Sequence, residues 1–211
     1  MTGILFDLDG TLLDTLQDLA DSVNHALRTH GYPERTLQEI RRFIGNGAAS
    51  LIAQSVPDGV DSQPVLDTFR PYYQAHSQVK TAPYPGILDA LEKIREKYPV
   101  AIVSNKPDPA VKTLCAHFFP GVFALGEVAG CPRKPAPDML YKTMNTLQID
   151  RFVYVGDSEG DVTTAHNAGA KCISVLWGFR DEEELRAAGA DYLCKQVCEL
   201  NDLINQAANE E

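Results

Sequence analysis

Asp7 and Asp9 stand two residues apart in Asp7-Leu8-Asp9-Gly10-Thr11, directly after the apolar run Ile4-Leu5-Phe6. In an extended segment that spacing puts both side chains on one side, about 6 to 7 Å apart along the chain. Two carboxylates so placed can divide two roles. Taken alone, the pattern also suits an Asp-rich turn closed by an Asx bond. Three more polar clusters sit in comparable places. Ser104-Asn105 closes the run Val100-Ala101-Ile102-Val103, and Lys134-Pro135 lies in a proline-punctuated loop. Gly156-Asp157-Ser158-Glu159-Gly160-Asp161 follows Phe152-Val153-Tyr154-Val155. Each has a plain alternative: Ser-Asn is a common turn, Lys-Pro a common solvated loop, and Asp161 suits a helix first turn.

The elements that must position these residues alternate. A strand ends in the Asp7 turn, and Leu16, Leu19, Ala20, Val23 and Leu27 then recur at helical spacing until Gly31 and Pro33 stop them. Thr36 with Glu39 reads as a capping box opening a second helix, and helical patterns continue to about Ala75. Ser77 to Pro85 is polar and proline-bearing, as a linker would be. After Pro85-Gly86 comes a helix carrying Leu88, Leu91 and Ile94, and strands and helices then take turns through Cys172-Ile173-Ser174-Val175. Asp181 with Glu184 caps a further helix. This order predicts an α/β fold, a doubly wound parallel, Rossmann-like sheet, with an all-helical insertion after the first strand. The expected division is a core of residues 1–14 and 82–211 and a helical cap of residues 15–81. Ligands of such sheets bind beyond the carboxyl ends of the strands, where the polar clusters fall.

Asp7-x-Asp9-Gly10-Thr11-Leu12, Ser104-Asn105, Lys134-Pro135 and Gly156-Asp157-Ser158-x-x-Asp161 resemble, in order, the four motifs of the haloacid dehalogenase-like hydrolases. The likeness covers essentially the whole chain. Pro85-Gly86, Trp177-Gly178 and the stretch from Leu185 to Asp191 are similar to the phosphoglycolate phosphatase group. The resemblance implies a Mg²⁺-dependent phosphatase for a small phosphate monoester, phosphoglycolate leading, in which Asp7 becomes an aspartyl-phosphate. It implies that Asp9 protonates the leaving alkoxide and then activates water. Mg²⁺ would be held by Asp7, the Asp9 carbonyl and Asp157, with Asp161 behind them. Ser104, Asn105, Lys134 and the backbone around Gly10 would hold the phosphate. Gly45-Asn46-Gly47 resembles a cap turn that approaches substrate in that group, and is equally an ordinary turn between helices. Arg41 and Arg42 suit a substrate carboxylate or a solvated helix face, and Trp177 suits packing. A sugar phosphomutase or a pyrophosphatase would use the same core machinery. Dehalogenation would leave Asp9 and Asp157 without a purpose, and a non-catalytic binding module would have shed one of Asp7, Asp9, Lys134 or Asp157.

Composition is consistent with this. The 211 residues, 44% of them hydrophobic, can bury one good core and a modest second unit. A formal net charge of −10 with the acidic residues scattered argues against nucleic acid and anionic membranes as partners. It would also repel a phosphate ester, so any such substrate needs local cations or a metal. The five cysteines include no Cys-x-x-Cys pair and read as small buried residues, with Cys194 and Cys198 at helical spacing. Neither a cationic leader with an apolar signal core nor an apolar run of membrane-spanning length is present, so a cytoplasmic monomer or homodimer is expected.

Overall fold

A computed structural model describes residues 1–210. The chain runs through β1 (Thr2–Phe6), β2 (Leu13–Asp14), the helices α1 (Leu16–Thr29), α2 (Leu37–Phe43), α3 (Gly47–Ser55) and α4 (Gln63–His76), and then β3 (Ala82–Pro83). It continues through α5 (Ile87–Arg95), β4 (Val100–Pro107), α6 (Asp108–Phe118), β5 (Phe123–Glu127) and α7 (Asp138–Leu147). The last elements are β6 (Arg151–Gly156), α8 (Glu159–Asn167), β7 (Lys171–Val175), α9 (Glu182–Ala187), β8 (Tyr192–Cys194) and α10 (Leu200–Asn209).

Six strands make one sheet in the order β5-β4-β1-β6-β7-β8, with every pairing parallel. This is the doubly wound order, in which the chain leaves β1 toward one edge and returns to its other side. Both faces must then be covered by helices, so the central strands are apolar in successive positions rather than alternately. Ile4 and Phe6 of β1 pack with Ile102, Val153, Val155, Leu91 and Ile204 on one face. Leu5 packs with Val103, Tyr154, Met139 and Val162 on the other. Asp7 follows β1 and Asp157 follows β6, at the point where the winding reverses.

Helices α1 to α4 bury their own apolar stripe: Leu19, Val23, Leu27, Ile40, Ile52, Leu66 and Phe69 form one cluster. Only Ala110 and Phe179 of the sheet unit join its buried residues. The Thr36–Glu39 capping box forms as read, with the Glu39 N–H donating to Thr36 Oγ1 at 3.2 Å.

Several local readings are corrected. The supposed linker contains β3, which pairs antiparallel with β2, Leu13 opposite Pro83 and Asp14 opposite Ala82. The buried face of α5 is Ile87, Ala90, Leu91 and Ile94, leaving Leu88 exposed. Strand β4 runs to Pro107, well beyond its apolar stretch. Cys198 is exposed and Cys131 half-buried, and Cys194 ends a strand, so the last two cysteines share no helix. No helix among the described residues is long and apolar enough to cross a membrane.

Candidate active site

The end of β1 is tied to its neighbour: the Asp7 N–H donates to the Val155 carbonyl at 2.8 Å. The chain then turns at Gly10, whose φ of +79° few side chains tolerate, and a Cβ there would strike the Asp157 carboxylate. This close passage brings carboxylate oxygens of Asp7, Asp157 and Asp161 within 4.8 Å of one another, all buried. Asp157 accepts from the Phe179 N–H at 2.7 Å and from the Thr11 hydroxyl at 3.1 Å. Asp161 is both the helix-start residue and a site residue. Its Oδ2 accepts from the Ser158 hydroxyl at 2.6 Å and the Ser158 N–H at 3.1 Å, while its Oδ1 accepts from Lys134 Nζ at 2.7 Å.

Lys134 is spent on several partners. It donates to the Tyr154 hydroxyl at 2.8 Å and lies 3.0 Å from Asp7 Oδ1. That last approach is an ion pair without hydrogen-bond alignment, so Asp7 Oδ1 remains buried with no hydrogen-bond partner. Burial raises the Asp7 carboxyl to about 7 despite the opposing pull of Lys134, and the charges of Asp161 and Asp9 add to the rise. Burial, then Asp161 and Asp7, hold Asp157 well above the usual carboxylate range. Burial alone would lower Lys134, but Asp161 and Asp7 outweigh it and hold the ammonium protonated. Of the three buried carboxylates, Asp7 and Asp161 share one ammonium and Asp157 has none, which leaves an acidic excess beside the unpaired Asp7 oxygen. Hard oxygens in this number suit a divalent ion such as Mg²⁺.

Asp9 faces another way. Lys106 Nζ donates to its two oxygens at 2.7 and 2.9 Å, and the Thr15 hydroxyl donates at 2.6 Å. Burial alone would lower Lys106, yet Asp9 raises it above its ordinary value. Both residues open onto a cavity of ≈ 370 Å³ that Asp7, Ser104, Asn105 and Asp157 also line. Its other wall comes from the helices, with Leu19, Ile44, Leu51, Phe69 and Tyr73. Gly45 and Gly47 are in that wall, while Gly10, Asn46, Lys134 and Asp161 stand outside it. The Gly45 carbonyl accepts from Asn105 Nδ2 at 3.1 Å, which joins the turn between α2 and α3 to β4. Arg41 turns instead to the Gly178 carbonyl at 3.1 Å, and Trp177 donates to the Thr11 carbonyl at 3.0 Å.

Sequence reasoning passed over Lys106, Thr15, Tyr154 and Arg180. Lys106 is two residues beyond Ser104, so in a strand continuing past the apolar run it shares that residue's side. The others carried no local signal.

The sequence profile of the haloacid dehalogenase-like hydrolases matches residues 4–175. The chain belongs to that family. Within these hydrolases it falls in the phosphoglycolate phosphatase-like group, and it is a phosphoric monoester hydrolase. A phosphoglycolate phosphatase of Vibrio vulnificus is 30% identical over 95% of each chain. One from Cereibacter sphaeroides is 36% identical over 85% of this chain and 87% of its own. A solved structure from Lactobacillus delbrueckii, described as a candidate phosphoglycolate phosphatase, superimposes with a TM-score of 0.90 at 36% identity, covering 99% of this chain and 98% of that one. The structure of CbbY from Rhodobacter sphaeroides, solved with phosphate, is similar at a TM-score of 0.76 and 26% identity, covering 94% and 95%. Haloacid dehalogenase-like phosphatases generally use a divalent metal, and the buried acidic triad accords with that.

Proposed function

We propose that this hydrolase is a cytoplasmic, Mg²⁺-dependent phosphatase for small phosphate monoesters, with phosphoglycolate the leading candidate. The carrying observation is the gathering of Asp7, Asp157 and Asp161 around an orphaned oxygen, with Asp9 separately paired at the same cavity. Phosphoglycolate leads because it is in the names of the relatives matched over nearly the full chain.

Asp7, Asp157 and the Asp9 carbonyl would hold Mg²⁺, with Asp161 orienting Asp157 and Lys134 behind them. When bound, the ion screens the Asp7 charge from the phosphate it attacks. Asp7 attacks phosphorus in line and becomes an aspartyl-phosphate, splitting one difficult hydrolysis into two easier steps. Asp9 gives a proton to the departing alkoxide and recovers one from the water that attacks the intermediate. Ser104, the backbone N–H groups at Asn105 and Gly10, and the Lys134 charge stabilise the phosphoryl oxygens. The helices of residues 15–81 act as a cap that excludes bulk water and limits substrate size.

Phosphate release from p-nitrophenyl phosphate and phosphoglycolate, with and without Mg²⁺, tests this. Activity should vanish with chelator, return with Mg²⁺, and be abolished in Asp7→Asn while the melting temperature is kept. Full activity in Asp7→Asn would remove Asp7 as the nucleophile.

A further inference from the structure

Among the described residues, one buried donor at the cavity has no acceptor. Tyr73, in the last turn of α4, is 4% exposed, and its ring stacks on Phe69 at a centroid separation of 5.4 Å. Its hydroxyl has no hydrogen-bond partner. A phenylalanine would pack the same ring without leaving a polar atom unsatisfied, so the hydroxyl does nothing for the closed fold that Phe would not do better. Burial pushes the phenol up to about 12, so at neutral pH it keeps its proton and can donate.

The hydroxyl's surroundings suggest what it donates to. The Lys106 ammonium lies 4.7 Å from the centroid of the Tyr73 ring. It has three N–H donors, and Asp9 takes two of them, at 2.7 and 2.9 Å. The phenol O–H, carried by the helical unit, is therefore unspent, and it stands beside an ammonium carried by the sheet. Under the proposed mechanism the leaving oxygen comes within about 2.6–3.2 Å of Asp9. Because Lys106 touches that same carboxylate, the next atoms of the leaving group fall against Lys106 and Tyr73.

We infer, resting on the phosphatase reading above, that Tyr73 and Lys106 form a subsite for an anionic oxygen group one or two carbons from the phosphate ester oxygen, a carboxylate in phosphoglycolate. Tyr73 is then a specificity-determining residue, brought onto the substrate as the helical unit closes. The apolar wall of Leu19, Ile44 and Phe69 strengthens the effect, because donors shielded from water hold an anionic oxygen more firmly than exposed ones do. A substrate lacking that oxygen leaves the donors unpaired, and sites of this kind discriminate sharply against such analogues.

Tyr73→Phe, assayed on phosphoglycolate and on ethyl phosphate, which has the same chain length but no carboxylate, tests the subsite. The variant should lose about 10-fold or more in kcat/KM on phosphoglycolate, mostly through KM. Ethyl phosphate turnover should be unchanged, and the melting temperature equal or higher, since no native hydrogen bond is removed. Unchanged phosphoglycolate kinetics, equal losses on both substrates, or a lower melting temperature would each overturn the subsite and leave the phosphatase reading standing. If the unaltered protein released phosphate from neither substrate, the phosphatase reading itself would fall.

Discussion

At Asp9 the decisive neighbour is a lysine 97 residues away, whose ammonium lies against both carboxylate oxygens. Removing that cation in Lys106→Met should leave Asp9 held by the Thr15 hydroxyl alone. If Asp9 moves the proton, kcat should fall by about 10²-fold or more, within the usual range for a positioned acid or base. A phosphate-release assay with excess substrate measures it. Gly10 is constrained more simply. With φ at +79° and no room before Asp157, Gly10→Ala should cost more than about 1 kcal/mol in denaturant unfolding and displace Asp157 as well. The sequence displayed Asp7, Asp9, Asp157 and Asp161 because each lies in a short polar turn after an apolar run. It displayed Lys106 too, next to Ser104-Asn105, but gave no means of telling which carboxylate it would meet. That pairing depends on β4 lying beside β1, a long-range register invisible to local pattern. Tyr73 was hidden for a related reason, since an aromatic on an apolar helix face looks like core from sequence alone.

Strands buried on both faces were easy to recognise as apolar runs, which is why β1, β4, β6 and β7 were legible. The edge strand β8 and helix α10 were not: β8 has three residues, only one of them fully buried, and few residues give little periodicity to detect. In helix α5 Leu91 and Ile94 are buried as expected, but Leu88 in its first turn is apolar and yet faces solvent. Asp191, just before β8, shows how such a weak element is held. It accepts from the Cys172 N–H at 2.9 Å, His166 Nε2 lies 3.0 Å away, and Lys171 Nζ lies at 3.2 Å. Burial alone would raise its carboxyl, but Cys172, His166 and Lys171 together lower it below the ordinary value. A lowered carboxyl stabilises the fold above about pH 4 and loses that contribution as pH falls through the native value. Asp191→Ala should therefore cost about 1–2 kcal/mol at pH 7 in urea unfolding, and the gap from the unaltered protein should narrow as pH falls below the ordinary carboxylate range.

Gly178-Phe179-Arg180 ties the helical unit to the sheet unit. The Phe179 ring joins the helical cluster while its N–H holds Asp157. The Arg180 guanidinium donates to the carbonyls of Arg41 at 3.2 Å, Arg42 at 3.2 Å and Ile44 at 2.9 Å, and its Nε pairs with Glu159 at 2.8 Å. These carbonyls end α2, where no intrahelical donor remains for them. Arg180→Ala should raise KM more than it lowers kcat and should speed amide hydrogen exchange in residues 37–55, both signs of a looser closure. Equal exchange in variant and parent would show that the lock is elsewhere. The two crossings between the units are Asp14 and Ala82, which sit opposite each other in one antiparallel pair. Residues that pair in this way stand only about 5 Å apart, so the sheet unit barely registers how much chain lies between them. Sixty-odd residues could be exchanged for a tight hairpin, or for a different bundle, with little entropic penalty for the join. The insertion is in effect a cartridge seated in a fixed socket, and new substrate preferences could be fitted there without redrawing the sheet.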